Sequence, residues 1–441
     1  MTRTRKWFAG LGVAAAVLVA IGVAITIAIP SDEELAQRLA GKLEAALGAK
    51  VTVGEVHWHL LPQPVVVVRN TVISQPQPIV LDRITAYPDL SALWQKQFKV
   101  RDVELDGGVV PQLSLRGLSK GAAKAAEDNQ AVDTPSGFTL AEIPLVHFSF
   151  HKVTWISRRG VPLIYDGDVS FDENWRPRTA QFRRPDVKPL TDLRLDRQGD
   201  QDRWKTTVHV GGGTGIGEVQ LHTRADGRLH LSGQLKSHDV EVSSALAAFN
   251  RRSVLSGKAS GDTTLSSDGA SAGELAQSLH TKTRFAVNSA TLLRFDLTKA
   301  IHTLGKEHDG QTPLDSLTGQ LDTQNTPNGM VSDFSEIKAK SGAFSASGKA
   351  TLFNRQIEAE FAVDIVDGLV GVPLKVSGPT NQVKVSVPGG AIAGAVIGTA
   401  ILPVVGTAIG ARLGAALGQL FSPASAPSRL GASAASPARK R

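Results

Sequence analysis

Side chains of a β-strand point to opposite faces at successive residues, and this chain repeatedly puts apolar residues on one side of that alternation. Phe344, Ala346, Gly348, Ala350 and Leu352 are followed, after Asn354 and Arg355, by Ile357, Ala359, Phe361, Val363 and Ile365. Gln356, Glu358, Glu360 and Asp364 occupy the other side. The same layout precedes it, where Val219 and Leu221 alternate with Glu218, Gln220 and His222. The chain then turns at Asp226-Gly227 into Leu229, Leu231 and Leu235, interleaved with Arg228, His230 and Gln234. Both read as hairpins with one apolar face. Val372, Leu374 and Val376 predict a further strand, joined through a Gly378-Pro379 turn to Val383, Val385 and Val387.

Few helices are available to cover these faces. Short ones are expected at Ser243 to Phe249, Gly273 to Leu279 and Phe295 to Leu304. Many apolar sheet faces with little helix to bury them leave two architectures. Two sheets can press together as a sandwich, or one curved sheet can form a trough that encloses a ligand. The expected class is mainly β: an elongated, curved antiparallel sheet of roughly two dozen strands forming an open groove, at most ~115 Å long at ~4.8 Å per strand.

Trp7 to Ile29 carries no charge. At about 1.5 Å per helical residue it reaches roughly 34 Å, enough to span a bilayer. Arg3, Arg5 and Lys6 precede it and Asp32, Glu33 and Glu34 follow it, which orients residues 1–6 toward the cytoplasm and exports the remainder. A cleaved signal peptide is the alternative, but the apolar run is long for one and only Thr26 and Ala28 offer a small-residue pair.

Residues 31–48 read as an amphipathic helix. Ser31 and Glu34 form a capping box, Gly48 suits the C-terminal end, and Leu35, Leu39, Leu43 and Leu47 make one stripe that either closes the following domain or lies on the membrane. Residues 49–117 then switch to strand periodicity. Phe98 and Val100 share one parity while Val103 and Leu105 share the other, so a bulge is expected at Arg101 and Asp102. Parity reverses again between Phe150 and Val153, placing a second bulge near Lys152. Between these two segments, residues 118–137 read as a linker or surface loop, and 138–388 as the continuation of the groove.

Composition removes several function classes. The chain has no Cys, so disulfides and thiolate chemistry are excluded. Its formal charge of +7 is interspersed with acids, which argues against a nucleic-acid surface. His57 and His59 share a strand face, yet only Glu55 accompanies them, short of the three or four ligands that a metal needs. Gly211 to Gly217 lacks the Lys-Ser/Thr ending of a phosphate loop and reads as a turn or bulge. Catalytic motifs are absent, so neither enzyme activity nor a cofactor is expected.

Several segments together resemble AsmA-like proteins. In the C-terminal region these are ELAQSL (Glu274 to Leu279), RFDLTKAIHTLG (Arg294 to Gly305), QTPLDSLTGQLDTQN (Gln311 to Asn325), SGAFSASGKATL (Ser341 to Leu352) and VPLKVSGPTNQVKVSVP (Val372 to Pro388). In the N-terminal region they are the anchor, the short helix and GAKVTVGEVHWHLLPQPVVVVRNTVI (Gly48 to Ile73). The resemblance covers about half of the chain. It implies a single-pass inner-membrane protein whose bulk lies in the periplasm of a diderm bacterium, with a β-groove that shields phospholipid acyl chains in transit toward the outer membrane. The expected groove lining is Val219, Leu221, Leu229, Leu231, Phe285, Val287, Phe344, Leu352, Ile357, Phe361, Val363 and Ile365. An envelope assembly factor with a closed, dry sandwich is the alternative. Residues 389–421 depart from the family. Their small-residue spacing (Gly394 and Gly398; Gly406, Gly410, Gly414 and Gly418) suits close helix approach, either in or on a membrane, or as a plug at the groove's end or a contact with a second copy, ahead of a basic tail over 422–441.

Overall fold

The computed structural model describes residues 32–386, apart from 60–62, 90, 93, 94, 96, 116–138, 173–175, 271, 304, 327, 343, 366–368 and 381. The apolar stretch 7–29, the linker 118–137 and residues 389–441 therefore lie outside the described residues. Among those described, no helix is long and apolar enough to cross a membrane.

Asp32–Leu47 forms helix α1, as the leucine spacing predicts. Its first turn holds Asp32, Glu33 and Glu34, where unpaired N–H groups favour negative charge. Gly48 adopts φ 61° and ends the helix. Leu35, Leu39, Leu43 and Leu47 are buried in one cluster with Val51, Val56, Val68, Ile84 and Val100. The stripe thus packs on the first strands.

Among the described residues, twenty strands build one sheet. The first five are β1 (Val51–Thr52), β2 (Glu55–His59), β3 (Val65–Ile73), β4 (Ile79–Pro88) and β5 (Gln97–Pro111). After the linker come β6 (Thr139–Ile156), β7 (Pro162–Phe171), β8 (Pro177–Arg183), β9 (Asp192–Arg197), β10 (Arg203–Val210), β11 (Gly213–Thr223) and β12 (Leu229–Glu241). Helix α2 (Val242–Ala247), β13 (Leu255–Gly269), α3 (Ala272–Gln277), β14 (His280–Leu293), α4 (Leu297–His302) and β15 (Gln311–Thr326) follow. The described part ends with β16 (Gly329–Ser341), β17 (Phe344–Phe353), β18 (Gln356–Ile365), β19 (Leu369–Pro379) and β20 (Lys384–Ser386).

Both β1 and β2 pair with β3, and from there each strand pairs with the next. All ladders but one are antiparallel. The exception corrects the all-antiparallel expectation: β5 and β6 run parallel, with Leu105 beside Phe150. A parallel neighbour needs a crossover connection, and residues 112–138 are long enough to supply it. Near the C-terminal end, Gly378 and Pro379 stay within β19, and the turn follows them.

Both expected bulges form. Arg101 is the extra residue between Val100, opposite Pro88, and Asp102, opposite Tyr87. Lys152 has φ 53° where β6 shifts against β7. The device recurs at Asp239, Ser289 and Glu336, all with positive φ at a register change.

The sheet is single and open, not split into two facing layers, and it coils. Arg158 Nη1 donates to the Thr326 carbonyl at 3.1 Å, and Arg159 Nη2 donates to Asn354 Oδ1 at 3.1 Å. The β6–β7 and β15–β16 turns would be roughly 43 Å apart on a flat sheet at about 4.8 Å per strand. They also belong to opposite long edges, because strand direction alternates from β6 onward. Accumulated right-handed strand twist brings one edge of the ribbon against the other.

If α1 is a structural part of this sheet, truncating its stripe must cost stability. Leu39→Ala should lower the unfolding free energy by about 2–5 kcal/mol, whereas Leu190→Ala, at an exposed loop position, should stay within about 0.5 kcal/mol. Denaturant titration followed by circular dichroism measures both.

Candidate functional site

Residues directly opposite each other in a ladder lie on one face, so the register traces each face across the sheet. From Val68 the row runs through Ile84, Leu105, Phe150, Gly167, Phe182, Leu193, Val208, Gly215, Ser237, Gly261, Phe285 and Gly319. One pair further along, Val287, Leu317, Ala339, Ala346, Val363 and Val372 extend it to β19. The other face reads Glu104, Ser149, Asp168, Gln181, Arg194, Thr207, Ile216, Lys236, Asp262, Arg284 and Gln320. One face is thus apolar over nearly the whole ribbon and the other is polar.

Glycine sets the depth of the apolar face. Phe150 is paired with Gly167, Phe285 with Gly319 and Phe361 with Gly348. A Cβ on these glycines would fall 2.1 Å from Phe150, 2.9 Å from Phe285 and 2.4 Å from Phe361. Each ring therefore lies across its bare partner, protecting the exposed backbone while keeping the floor low. Phe148, Phe150 and Phe182 continue this aromatic surface, with successive centroids 5.9 and 6.2 Å apart.

Coverage is confined to particular regions. Leu221 and Leu229 are buried with Trp204 and Leu275 of α3. Val287, Phe344 and Val363 are buried with Leu297 and Ile301 of α4, Val363 with no exposure at all. Val219, Leu231, Phe285, Leu352, Ile357 and Phe361 remain half-buried; Val219 and Leu231 lie against the cluster that holds Leu275, and Phe285, Ile357 and Phe361 against the one that holds Leu297 and Ile301. The backbone of Ile365 pairs with Phe344, while its side chain lies outside the described residues.

Four histidines of the polar face are tied to carboxylates. His147 bonds Asp102 at 3.2 Å and Asp168 at 2.8 Å, His209 bonds Asp192 at 2.6 Å, His230 bonds Asp268 at 2.8 Å, and His280 bonds Asp322 at 2.6 Å. These are cross-strand ties. His57 likewise bonds Asp32 at 2.8 Å, and among the described residues no cluster of three potential metal ligands occurs. A shallow hollow of about 460 Å³ has polar-face residues prominent in its lining, including Lys236, Asp262, Arg284, Gln320, Glu336 and Lys338. Its charges are partly internally matched, Lys236 facing Asp262 at 3.9 Å, so the hollow is not a marked site for a charged ligand.

Sequence reasoning placed the hairpins of the second half on this face and missed Phe150, Phe182, Leu193, Leu195 and Val208. Alternation at Leu193 and Leu195 was the available signal, but it is diluted by the surrounding charges. Of the stretch Gly211 to Gly217, only Gly211 and Gly212, with φ 57° and 77°, form the turn, and Gly213 to Gly217 pair regularly within β11. Comparisons with protein-family models, curated proteins and solved structures found no match for this chain.

The Phe–Gly pairs can be tested directly. Gly348→Val should force the Phe361 ring upward and cost about 1–3 kcal/mol, while Gly41→Ala, in open space on α1, should gain about 0.5–1 kcal/mol. Paired unfolding titrations measure the difference.

Proposed function

We propose that the apolar face is a groove for phospholipid acyl chains and that the protein moves or supplies lipid between the membranes of a diderm envelope. The observation that carries this reading is the largely apolar row on an open sheet with its half-buried floor around Phe285, Ile357 and Phe361. Burying hydrocarbon is worth about 0.8 kcal/mol per CH2, so even half an acyl chain outweighs a hydrogen bond of about 1 kcal/mol to a headgroup. Affinity would come from chain burial, with little headgroup selection.

The resemblance to AsmA-like proteins supports the same reading. So does the apolar stretch 7–29, which would hold the chain in the inner membrane with the sheet in the periplasm. Residues 389–421 would add a second contact, with a membrane or another copy. No catalytic step belongs to this function. An assembly factor built on a dry sandwich requires two packed layers, and a single open sheet does not provide them.

A photo-crosslinking residue at Phe361 or Ile357 in the full chain should capture labelled phospholipid in cells. Val363, which is sealed, and Glu358, on the opposite face, should capture none. Failure at both floor positions, with labelled lipid recovered on another envelope lipid-binding protein, would overturn the proposal.

A further inference from the structure

The coil brings turns together that no sequence pattern links. The β6–β7 turn touches Thr326 and Asn354 through Arg158 and Arg159. Asn250 Nδ2, from the loop after α2, donates to the Pro162 carbonyl at 3.1 Å. Residues 157–162, 248–254, 326–330 and 353–357 therefore converge on one seam. They contain Arg158, Arg159, Arg251, Arg252 and Arg355, and no Asp or Glu.

Cations packed at a seam without acids repel one another unless an anion lies over them. Burial lowers the Arg159 pKa, and the neighbouring Arg251 and Arg355 charges lower it further. Other arginines do meet carboxylates, Arg176 with Asp202, Arg183 with Asp166 and Arg194 with Asp196. Among the described residues, no carboxylate pairs with Arg159, Arg251 or Arg355.

A second feature falls in the same turns. Phe249, Val254 and Met330 are exposed at 38%, 60% and 37%. Large exposed apolar side chains beside a cationic cluster match a membrane surface, where rings and aliphatic chains enter the acyl boundary and arginines meet lipid phosphates. A soluble acidic protein would satisfy the charges but would leave three such side chains without a reason.

We propose that this seam is a docking surface for an anionic phospholipid bilayer, with Arg159, Arg251 and Arg355 on headgroup phosphates and Phe249 and Val254 inserted beside them. It goes beyond the groove reading and does not require it. The seam would hold the coil against a lipid surface at a point separate from residues 7–29.

The test uses the full chain reconstituted in phosphatidylcholine vesicles, scored for capture of a second vesicle population. Capture should be strong when a third of the acceptor lipid is phosphatidylglycerol and weak with phosphatidylcholine alone. The variant Arg159→Gln/Arg251→Gln/Arg355→Gln should lose about fivefold per arginine removed. A charge-matched control on the polar face, Lys205→Gln/Lys282→Gln/Lys338→Gln, should retain capture. Phe249→Ser/Val254→Ser alters exposed positions without changing charge, and it should also lose capture even if the arginine variant proves unstable. Unchanged capture by the arginine variant, equal loss in the lysine control, or full capture by the Phe249/Val254 variant would each overturn the proposal. Lipid crosslinking at Phe361 in the same preparations reports on the groove separately, so failure of one reading is distinguishable from failure of the other.

Discussion

Phase is the constraint on which this structure rests. Side chains switch face at every residue of a strand, so a ribbon of twenty strands keeps one greasy surface only if each strand stays in step with its neighbour. The long strands could not do this unaided, because twist carries their two arms out of alignment. Extra residues at Arg101, Lys152, Asp239, Ser289 and Glu336 reset the count. At the last four, positive φ values bend the strand as well as shifting its register. Curvature and one-sidedness thus share a cause.

What covers the apolar surface is as informative as the surface itself. Helix α1 is seated on the first strands by four buried leucines. Helices α3 and α4 do the same at two later places, through Leu275 and through Leu297 with Ile301. Each is short, and each covers only the strands beneath it. The remainder of the floor, with Phe285, Ile357 and Phe361, packs at the margin of these clusters and stays half-buried.

The sequence reveals local features far better than the remote consequences of twist. The hairpins at Asp226-Gly227 and Asn354-Arg355, the bulges at Arg101 and Lys152, and the three short helices are legible because turn residues and side-chain parity act within a few positions. The parallel ladder between β5 and β6 is not, since its partners are separated by residues 112–138 and nothing in either strand specifies direction. The seam at Arg159 and Asn354 is likewise hidden. It arises from rotations summed over many strands, none of which leaves a mark on the residues that finally meet. The residues expected to line a groove share one face of the sheet, and which of them are fully buried depends on where the helices land.

Phenylalanine laid flat on glycine has a further consequence. A hydrocarbon tail resting on a surface of upright side chains must climb over each one, and each ridge acts as a brake. Rings drawn down onto Gly167, Gly319 and Gly348 lower the ridges at those positions. In the proposed acyl-chain groove, lowered ridges would favour sliding along the ribbon over residence at any one strand.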